Sequence, residues 1–98
     1  MDYQTAFRTH NCNELRKEHV GQTVRLSGWL SGTRDLGSVL FIVVRDFYGM
    51  TQVVVSSEEM KEQVRAIPRE STIMVEGKVI LRSSPNPDMP TGLIEIDP

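Results

Sequence analysis

Apolar and other side chains alternate along the first half of this chain with the period of two that is typical of half-buried β-strands. Thr23–Leu30 is one such stretch, and Val39–Arg45 is a second that is apolar on both faces and rich in β-branched residues. We predict a strand over each. In the first strand Val24, Leu26 and Leu30 share a face. In the second, Val39, Phe41 and Val43 are expected to point away from the core.

Glycine and polar residues between the apolar stretches predict the connections. Gly28, inside the first strand, indicates a bulge or a bend. Ser31–Ser38 has the glycine and polar content of a loop. Asp46–Gly49 is predicted to be a tight turn, after which Met50–Val55 returns as a third strand.

The turn sets a testable register between the second and third strands. If Arg45 pairs with Met50, then Val43 lies opposite Gln52 and Phe41 lies diagonally beside Gln52 on the same face. A slip of one residue would place Phe41 and Gln52 on opposite faces.

Helical spacing of apolar residues replaces the alternation after the third strand. Ser56 followed by Glu59 matches a capping box, and Pro68 ends the segment. We predict one short amphipathic helix, with Met60, Val64 and Ile67 on its apolar face.

Two further strands are predicted near the end of the chain, over Thr72–Arg82, bent at Gly77, and over Leu93–Ile96. The proline-rich segment between them, Ser83–Gly92, is an irregular loop. The alternating apolar residues of the fourth strand are Ile73, Val75, Val79 and Leu81.

The segment before the first strand also carries a capping pattern. Asn11 with Glu14 predicts a helical turn that ends near Gly21 and closes one end of the structure with Leu15 and Val20.

The element order predicts an all-β fold, the five-stranded Greek-key barrel called the OB-fold, with one helix between strands 3 and 4 and a short N-terminal helix. We assign residues 1–22 to an extension that packs on the barrel and residues 23–98 to the barrel itself. In this fold the ligand face includes the second and third strands and the loops after the first and fourth strands.

Length and charge limit the possible functions. A chain of 98 residues is expected to form one domain, without room for a second, catalytic one. The net charge of −2 divides into a slight positive excess up to Val55 and an acidic remainder. If nucleic acid binds, phosphate neutralisation is therefore not the main source of affinity, and base contacts must matter.

The location expected from the sequence is the cytoplasm, because MDYQTAF at residues 1–7 resembles neither a secretory signal nor a transit peptide. We expect no membrane partner, since the longest apolar run, Val39–Val44, is too short to span a bilayer. The single cysteine, Cys12, is interpreted as a small buried residue, and no cysteine and histidine cluster indicates a metal.

Three residues are candidates for binding a base. Phe41, on the outer side of the second strand, could stack on it, and Gln52 offers an amide donor and acceptor together. Arg34 could reach a phosphate or a base. The alternatives are that Phe41 is a core residue, Gln52 an ordinary exposed amide, and Arg34 a solvated charge paired with Asp35.

Residues near the last two strands are further candidates. Glu95 could accept hydrogen bonds from a guanine, or it could form an ion pair with Arg82. Asn86 and Thr91 could contact a base, or they could serve only the turns of their loop.

No constellation of residues indicates catalysis, so we do not expect this chain alone to be an enzyme. His10 and His19 lack a nucleophilic partner or a third metal ligand at any suggestive spacing, and Trp29 is interpreted as a core or rim residue. No glycine-rich phosphate loop is present in the sequence.

Four segments together resemble the N-terminal anticodon-binding domain of aspartyl-tRNA synthetases of the bacterial and mitochondrial type. They are RTHNCNELRKEHVGQTVRLSGW (8–29), RDLGSVLFIVVRD (34–46), YGMTQVVV (48–55) and NPDMPTGLIEI (86–96).

The resemblance implies specific contacts with an aspartate tRNA anticodon. By this analogy Phe41 is expected to stack on the central uridine, and Gln52 and Arg34 to hydrogen-bond to it. Glu95 is expected to face the first base, a guanosine or queuosine, while Arg82 and Asn86 are expected to approach the loop or the third base.

The resemblance also implies that catalysis belongs to a separate class II domain of a parent enzyme, which joins aspartate to its tRNA by way of an aspartyl-adenylate. ATP and magnesium are expected in that domain, and no cofactor in this one. The parent is expected to be a homodimer, and a mitochondrial parent is also compatible with the resemblance.

One departure from the family favours a second hypothesis. Gly32 and Thr33 stand where the family usually carries two arginines before Arg34. The alternative is therefore a diverged OB-fold module for protein interaction or regulation, which has lost its affinity for tRNA.

Overall fold

The computed structural model describes residues 8–98, and its five strands close into one barrel. This confirms the predicted all-β OB-fold with one helix between the third and fourth strands. The elements are β1 (Thr23–Asp35), β2 (Leu40–Arg45), β3 (Met50–Val55), α1 (Glu58–Arg65), β4 (Thr72–Leu81) and β5 (Ile94–Asp97).

The strands follow one another around the barrel in the order β1, β2, β3, β5, β4, and β4 pairs with β1 to complete the circle. All neighbours are antiparallel except β3 and β5, which run parallel where Val53 pairs with Ile96. The predicted hairpin register is confirmed, because Arg45 pairs with Met50 and Val43 pairs with Gln52. Alternate residues of β2 and β3 therefore face outward.

The inward-facing apolar residues of all five strands fill the barrel, together with Cys12 and Leu15 from the N-terminal segment. Val24, Leu26 and Leu30 of β1 are all buried, as predicted, and so is Val64 of α1. Burial raises the pKa of the Cys12 thiol, as does the nearby carboxylate of Asp46. The complete cluster is Cys12, Leu15, Val24, Leu26, Leu30, Leu40, Ile42, Val44, Val53, Val55, Val64, Val79, Ile94 and Ile96.

The first strand is longer than its composition indicates. Residues 31–35, predicted to be loop, continue β1 to Asp35 because Gly32–Asp35 pair with Val43–Leu40 of β2. The irregularity in the β1–β2 register falls between Leu30 and Gly32, after Gly28 in the chain. Backbone pairing with β2 therefore decides the conformation of this polar segment. The expectation of a loop here was wrong.

Of the two predicted alternatives for Gly28, a bulge or a bend, the bulge does not form there, because the pairing of Gly28 is regular. A Cβ atom at this position would collide with the carbonyl oxygen of Arg45 on β2. Glycine is therefore needed for the close approach of the β1 and β2 backbones at this point.

The helix begins one residue later than predicted. Ser57, not Ser56, is the N-cap, and its Oγ accepts a hydrogen bond from the backbone N–H of Met60 at 3.4 Å. The third helical residue is then Met60 instead of Glu59, so the predicted capping box does not form. Smaller differences affect the ends of β2, β4 and β5, each by one residue.

The N-terminal segment closes the barrel with partly different residues from those predicted, and the first seven residues of the assigned extension lie outside the described part of the chain. Asn11 and Glu14 do form cap contacts. Oδ1 of Asn11 accepts a hydrogen bond from Asn13 N–H at 2.9 Å, and Oε1 of Glu14 accepts one from Asn11 N–H at 3.1 Å. The predicted helical turn before Gly21 is a 3₁₀ turn at Lys17–His19. Leu15 is buried, but Val20 is 41% exposed, so its predicted packing is wrong.

A buried aspartate connects this segment to the β2–β3 turn. Asp46 accepts hydrogen bonds from the N–H groups of Cys12, Tyr48 and Gly49, at 2.8, 2.8 and 3.1 Å. Thr51 donates to the carbonyl oxygen of Cys12 at 2.8 Å. The turn and the N-terminal segment therefore form one rigid end of the barrel.

Across residues 8–98, no helix has the length and apolar character needed to cross a bilayer.

Candidate nucleic-acid interface

An open groove of about 580 Å³ runs over the outer face of β2 and β3. Its floor is formed by outward-facing residues of these strands, and its walls come from the end of β1, the following loop and the segment after β4. Five of the six predicted site residues line it: Arg34, Phe41, Gln52, Arg82 and Glu95. The remaining lining residues are Gly32, Thr33, Leu36, Val39, Val43, Ser83 and Ser84.

Phe41 lies on the floor of the groove and not in the core. Its neighbours Leu40 and Ile42 are buried on the inner face, while Phe41 is half-buried on the outer one. Gln52 lies diagonally from it on β3, as the register requires. The ring and the amide therefore face the same space, where a flat ligand could contact both.

Arg34 stands beside Phe41 because the two are directly opposed on β1 and β2. Opposed residues of an antiparallel pair project from the same face. The alternative in which Arg34 pairs with Asp35 is not what the structure shows. Asp35 instead accepts hydrogen bonds from Arg65 of α1, at 2.7 and 3.2 Å.

The Asp35 carboxylate is stabilised in its charged form by these contacts. Hydrogen bonds from Arg65, followed by one from the backbone N–H of Gly37, lower the pKa of Asp35 to about 2. The Arg34 side chain is exposed and makes no hydrogen bond or ion pair within the described residues. Its guanidinium is available to a ligand.

Glu95 is a buried acidic residue at the edge of the groove and is 6% exposed. Its Oε1 accepts a hydrogen bond from Nε2 of Gln52 at 2.8 Å. The alternative of an ion pair with Arg82 is not observed among the described residues. Arg82 lies two residues beyond Ile80, the β4 partner of Glu95.

Arg82 has an unsatisfied donor. Its Nη1 makes a long contact of 3.9 Å with the sulfur of Met89, and its Nε is buried without a hydrogen-bond partner among residues 8–98. A buried N–H without a partner is unfavourable.

Asn86 is not among the residues that line the groove. Its Oδ1 accepts a hydrogen bond from Asp88 N–H at 3.0 Å, and its backbone N–H donates to Gly92 at 2.9 Å. Thr91 is 1% exposed and donates to the carbonyl oxygen of Met50 at 2.6 Å. Thr91 therefore holds its loop against β3. Because its side chain is buried, it is not available to contact a base.

Lys61 holds the wall of the groove, and the sequence prediction did not include it. It is 1% exposed, and its Nζ donates to the carbonyl oxygens of Gly37 and Ser38 at 2.9 and 3.1 Å and to Glu58 at 2.7 Å. These contacts attach the β1–β2 loop to α1. The sequence did carry one indication that Lys61 faces inward. It lies three residues before Val64, and residues with this spacing share one side of a helix.

Trp29, His10 and His19 lie outside the groove, and each of them contacts a second ring. Trp29 contacts Phe47 edge to face, with ring centroids 5.7 Å apart, at the opposite end of β2. His10 and His19 contact each other in the same way at 5.4 Å. Within residues 8–98, no three His, Cys, Asp or Glu side chains are grouped so as to hold a metal ion.

Comparisons with known proteins place the groove in a family context. Residues 24–96 match a family model named for the tRNA anticodon and described as an OB-fold nucleic acid binding domain. The chain is 49% identical over 94 residues to an aspartate–tRNA ligase of Streptomyces coelicolor, and the aligned region covers 93% of this chain and 16% of that protein. It is 47% identical over 93 residues to an aspartate–tRNA(Asp/Asn) ligase of Gluconobacter oxydans, covering 92% and 16%.

Solved structures show the same barrel. The asparaginyl-tRNA synthetase of Pyrococcus horikoshii superposes with a TM-score of 0.73 at 33% identity, over 90% of this chain and 21% of that one. This chain thus spans about one-sixth of the length of the two ligases, with 16% coverage of each.

Proposed function

This chain belongs to the tRNA anticodon family of OB-fold nucleic-acid-binding domains, and from that premise we propose that it binds the anticodon loop of an aspartate tRNA. The observation that carries the proposal is the convergence of Phe41, Gln52 and Arg34 in one groove. A stacking surface, an amide and a guanidinium together meet the needs of a protein that reads an unpaired base.

The central uridine is the base assigned to this triad. Phe41 stacks on its ring, an interaction worth about 1–3 kcal/mol by alanine substitution. Gln52 hydrogen-bonds to its edge, and Arg34, directly opposite Phe41, donates to the base or to the adjoining phosphate.

Flanking bases are assigned to the ends of the groove. Glu95 accepts hydrogen bonds from the first anticodon base, a guanosine or queuosine. Arg82, which lines the groove, donates to the loop or to the third base. Asn86, whose side chain accepts a hydrogen bond from Asp88 N–H, also approaches the loop or the third base in this proposal.

The remaining assignments concern a parent enzyme. We propose that residues 23–98 are the anticodon-binding domain of an aspartate–tRNA ligase and that residues 1–22 are its N-terminal extension. Aminoacylation then occurs in a separate class II catalytic domain, which uses ATP and magnesium. The parent is proposed to be a cytoplasmic homodimer, and a mitochondrial parent is also compatible.

A matched pair of phenylalanines tests the proposal. Phe41→Ala removes the stacking surface, so affinity for an RNA hairpin with the anticodon GUC should fall by about tenfold or more, beyond detection for a weakly binding domain. Phe47→Ala is the control, because Phe47 is 95% exposed and lies outside the groove. Titrations followed by fluorescence anisotropy measure both variants.

The second hypothesis, a diverged interaction module, has one observation in its favour. Gly32 and Thr33 line the groove without supplying a positive charge. A wild-type protein that binds GUC and GCC hairpins equally, or binds neither, would favour this alternative. Unchanged affinity of Phe41→Ala would contradict the assigned stacking role.

A further inference from the structure

The hydrogen bond between Gln52 and Glu95 determines which way the Gln52 amide faces. Nε2 of Gln52 lies 2.8 Å from Oε1 of Glu95. An ionised carboxylate only accepts hydrogen bonds, whereas an amide has one donating and one accepting end. The NH₂ group must therefore face Glu95, because the reversed amide would set two acceptor oxygens against each other.

The barrel itself brings the two side chains together. Val53 of β3 pairs with Ile96 of β5, and both point inward with 1% and 0% exposure. The residues just before them, Gln52 and Glu95, therefore project outward side by side. Glu95 is only 6% exposed, so water competes little for this hydrogen bond.

We propose that Glu95 is a positioning residue that makes Gln52 selective for the central base, an inference that rests on the function proposed above. Uracil presents a carbonyl acceptor beside an imino donor, and cytosine presents an amino donor beside an acceptor. An amide held in one orientation complements one of these edges. An amide that is free to rotate by 180° complements the edges of both uracil and cytosine. Discrimination between the two bases therefore depends on the carboxylate that holds the amide in one orientation.

The same carboxylate remains able to contact a second base. Glu95 has two oxygens with about four lone-pair sites in total, and the bond to Gln52 uses one site on Oε1. Oε2 stays available for the first anticodon base. Glu95 thus couples the reading of two adjacent bases.

Glu95→Gln tests the inference with little change of shape. A glutamine at this position can donate to the Gln52 oxygen or accept from its NH₂, so either orientation of Gln52 is satisfied. The wild type should prefer the GUC hairpin to the GCC hairpin by about tenfold. In Glu95→Gln the preference should fall to about threefold or less, mainly because GCC binds better.

Glu59→Gln is the control for charge. Glu59 is exposed on α1 outside the groove, so its substitution removes the same negative charge without touching Gln52. The ratio of the two dissociation constants should remain at its wild-type value. A third hairpin, with the anticodon AUC, measures reading of the first base separately.

The free protein provides a readout that needs no RNA. In NMR spectra the hydrogen-bonded Nε2 proton of Gln52 should lie downfield of the corresponding proton of exposed Gln63. Glu95→Gln should reduce that difference, because the Gln52 NH₂ then faces its partner in only one of two allowed orientations. Coincident Gln52 and Gln63 signals in the wild type would overturn the inference whatever the RNA result.

The RNA outcomes separate the two proposals. A wild type that prefers GUC, with a Glu95→Gln variant that prefers it equally, overturns the positioning role and leaves the proposed function intact. A wild type without affinity for either hairpin overturns the proposed function, while the NMR comparison still decides whether Glu95 orients the amide.

Discussion

Lys61 is a charged residue that the fold buries, and the structure explains why it is tolerated. Its ammonium group meets two backbone carbonyl oxygens of the β1–β2 loop and the Glu58 carboxylate. Buried charges are compatible with stability when they are paired and hydrogen-bonded. Lys61 therefore holds in place the loop next to Arg34.

Lys61→Met should keep most of the buried volume and remove the three hydrogen bonds. The carbonyl oxygens of Gly37 and Ser38 then lose their donor, so the free energy of unfolding should fall by about 1–3 kcal/mol in urea denaturation. Amide hydrogen exchange should accelerate in residues 36–38.

Lys78→Met serves as the matched control, because Lys78 is exposed on β4. Its free energy of unfolding should change by less than about 0.5 kcal/mol. Equal stability of the Lys61→Met and Lys78→Met proteins would contradict the anchoring role of Lys61.

At the scale of elements, α1 supports the β1–β2 loop through a second contact. Arg65, near the end of the helix, forms a two-point hydrogen bond with Asp35, at the end of β1. Both groups are exposed, so this pair positions the loop more than it stabilises the fold.

The Asp35–Arg65 pair predicts a defined pH response. The pKa of Asp35 is lowered to about 2, first by the hydrogen bonds from Arg65, against about 4 for an unperturbed aspartate. A lowered pKa in the folded state means that the contribution to stability is complete above pH 4 and is lost as the pH falls towards 2.

Carboxyl chemical shifts in an NMR titration measure this directly. Arg65→Gln should return the pKa of Asp35 towards about 4. Arg69→Gln is the control, since Arg69 donates to the carbonyl of Ser31 and not to Asp35. An Asp35 pKa near 4 in the wild type would show that the pair does not persist in solution.

For the whole molecule, the net charge and the groove indicate that contacts with bases supply most of the affinity for RNA and that phosphate neutralisation supplies little of it. The net charge is −2, and the cations that line the groove are Arg34 and Arg82. An apolar floor with few cations gives selectivity for unstacked bases and only modest affinity.

The salt dependence of RNA binding tests this balance. If Arg34 and Arg82 both neutralise phosphates, the logarithm of the binding constant should fall against the logarithm of salt concentration with a slope of about −1.4. Arg34→Gln should reduce the slope by about half. A wild-type slope on the order of −4 or steeper would show that cations outside the groove also bind the RNA.

The positions of the elements and of three groove residues could be predicted from sequence because they depend on short-range patterns. Alternation over six to eight residues identifies a strand, and the turn at Asp46–Gly49 sets the register that places Phe41 and Gln52 on one face. Arg34 was identified from its loop-like context, although the structure places it in β1.

The remaining features required the closed barrel. Gln52 and Glu95 are 43 residues apart in the chain, and Lys61 lies 24 residues from Gly37. No local pattern records such contacts, because they form only when β5 inserts between β3 and β4 and when α1 packs against the loop. The sequence by itself determined which residues of β2 and β3 face outward. Tertiary structure alone decided which of them hydrogen-bond to one another, since that depends on the distances that barrel closure imposes.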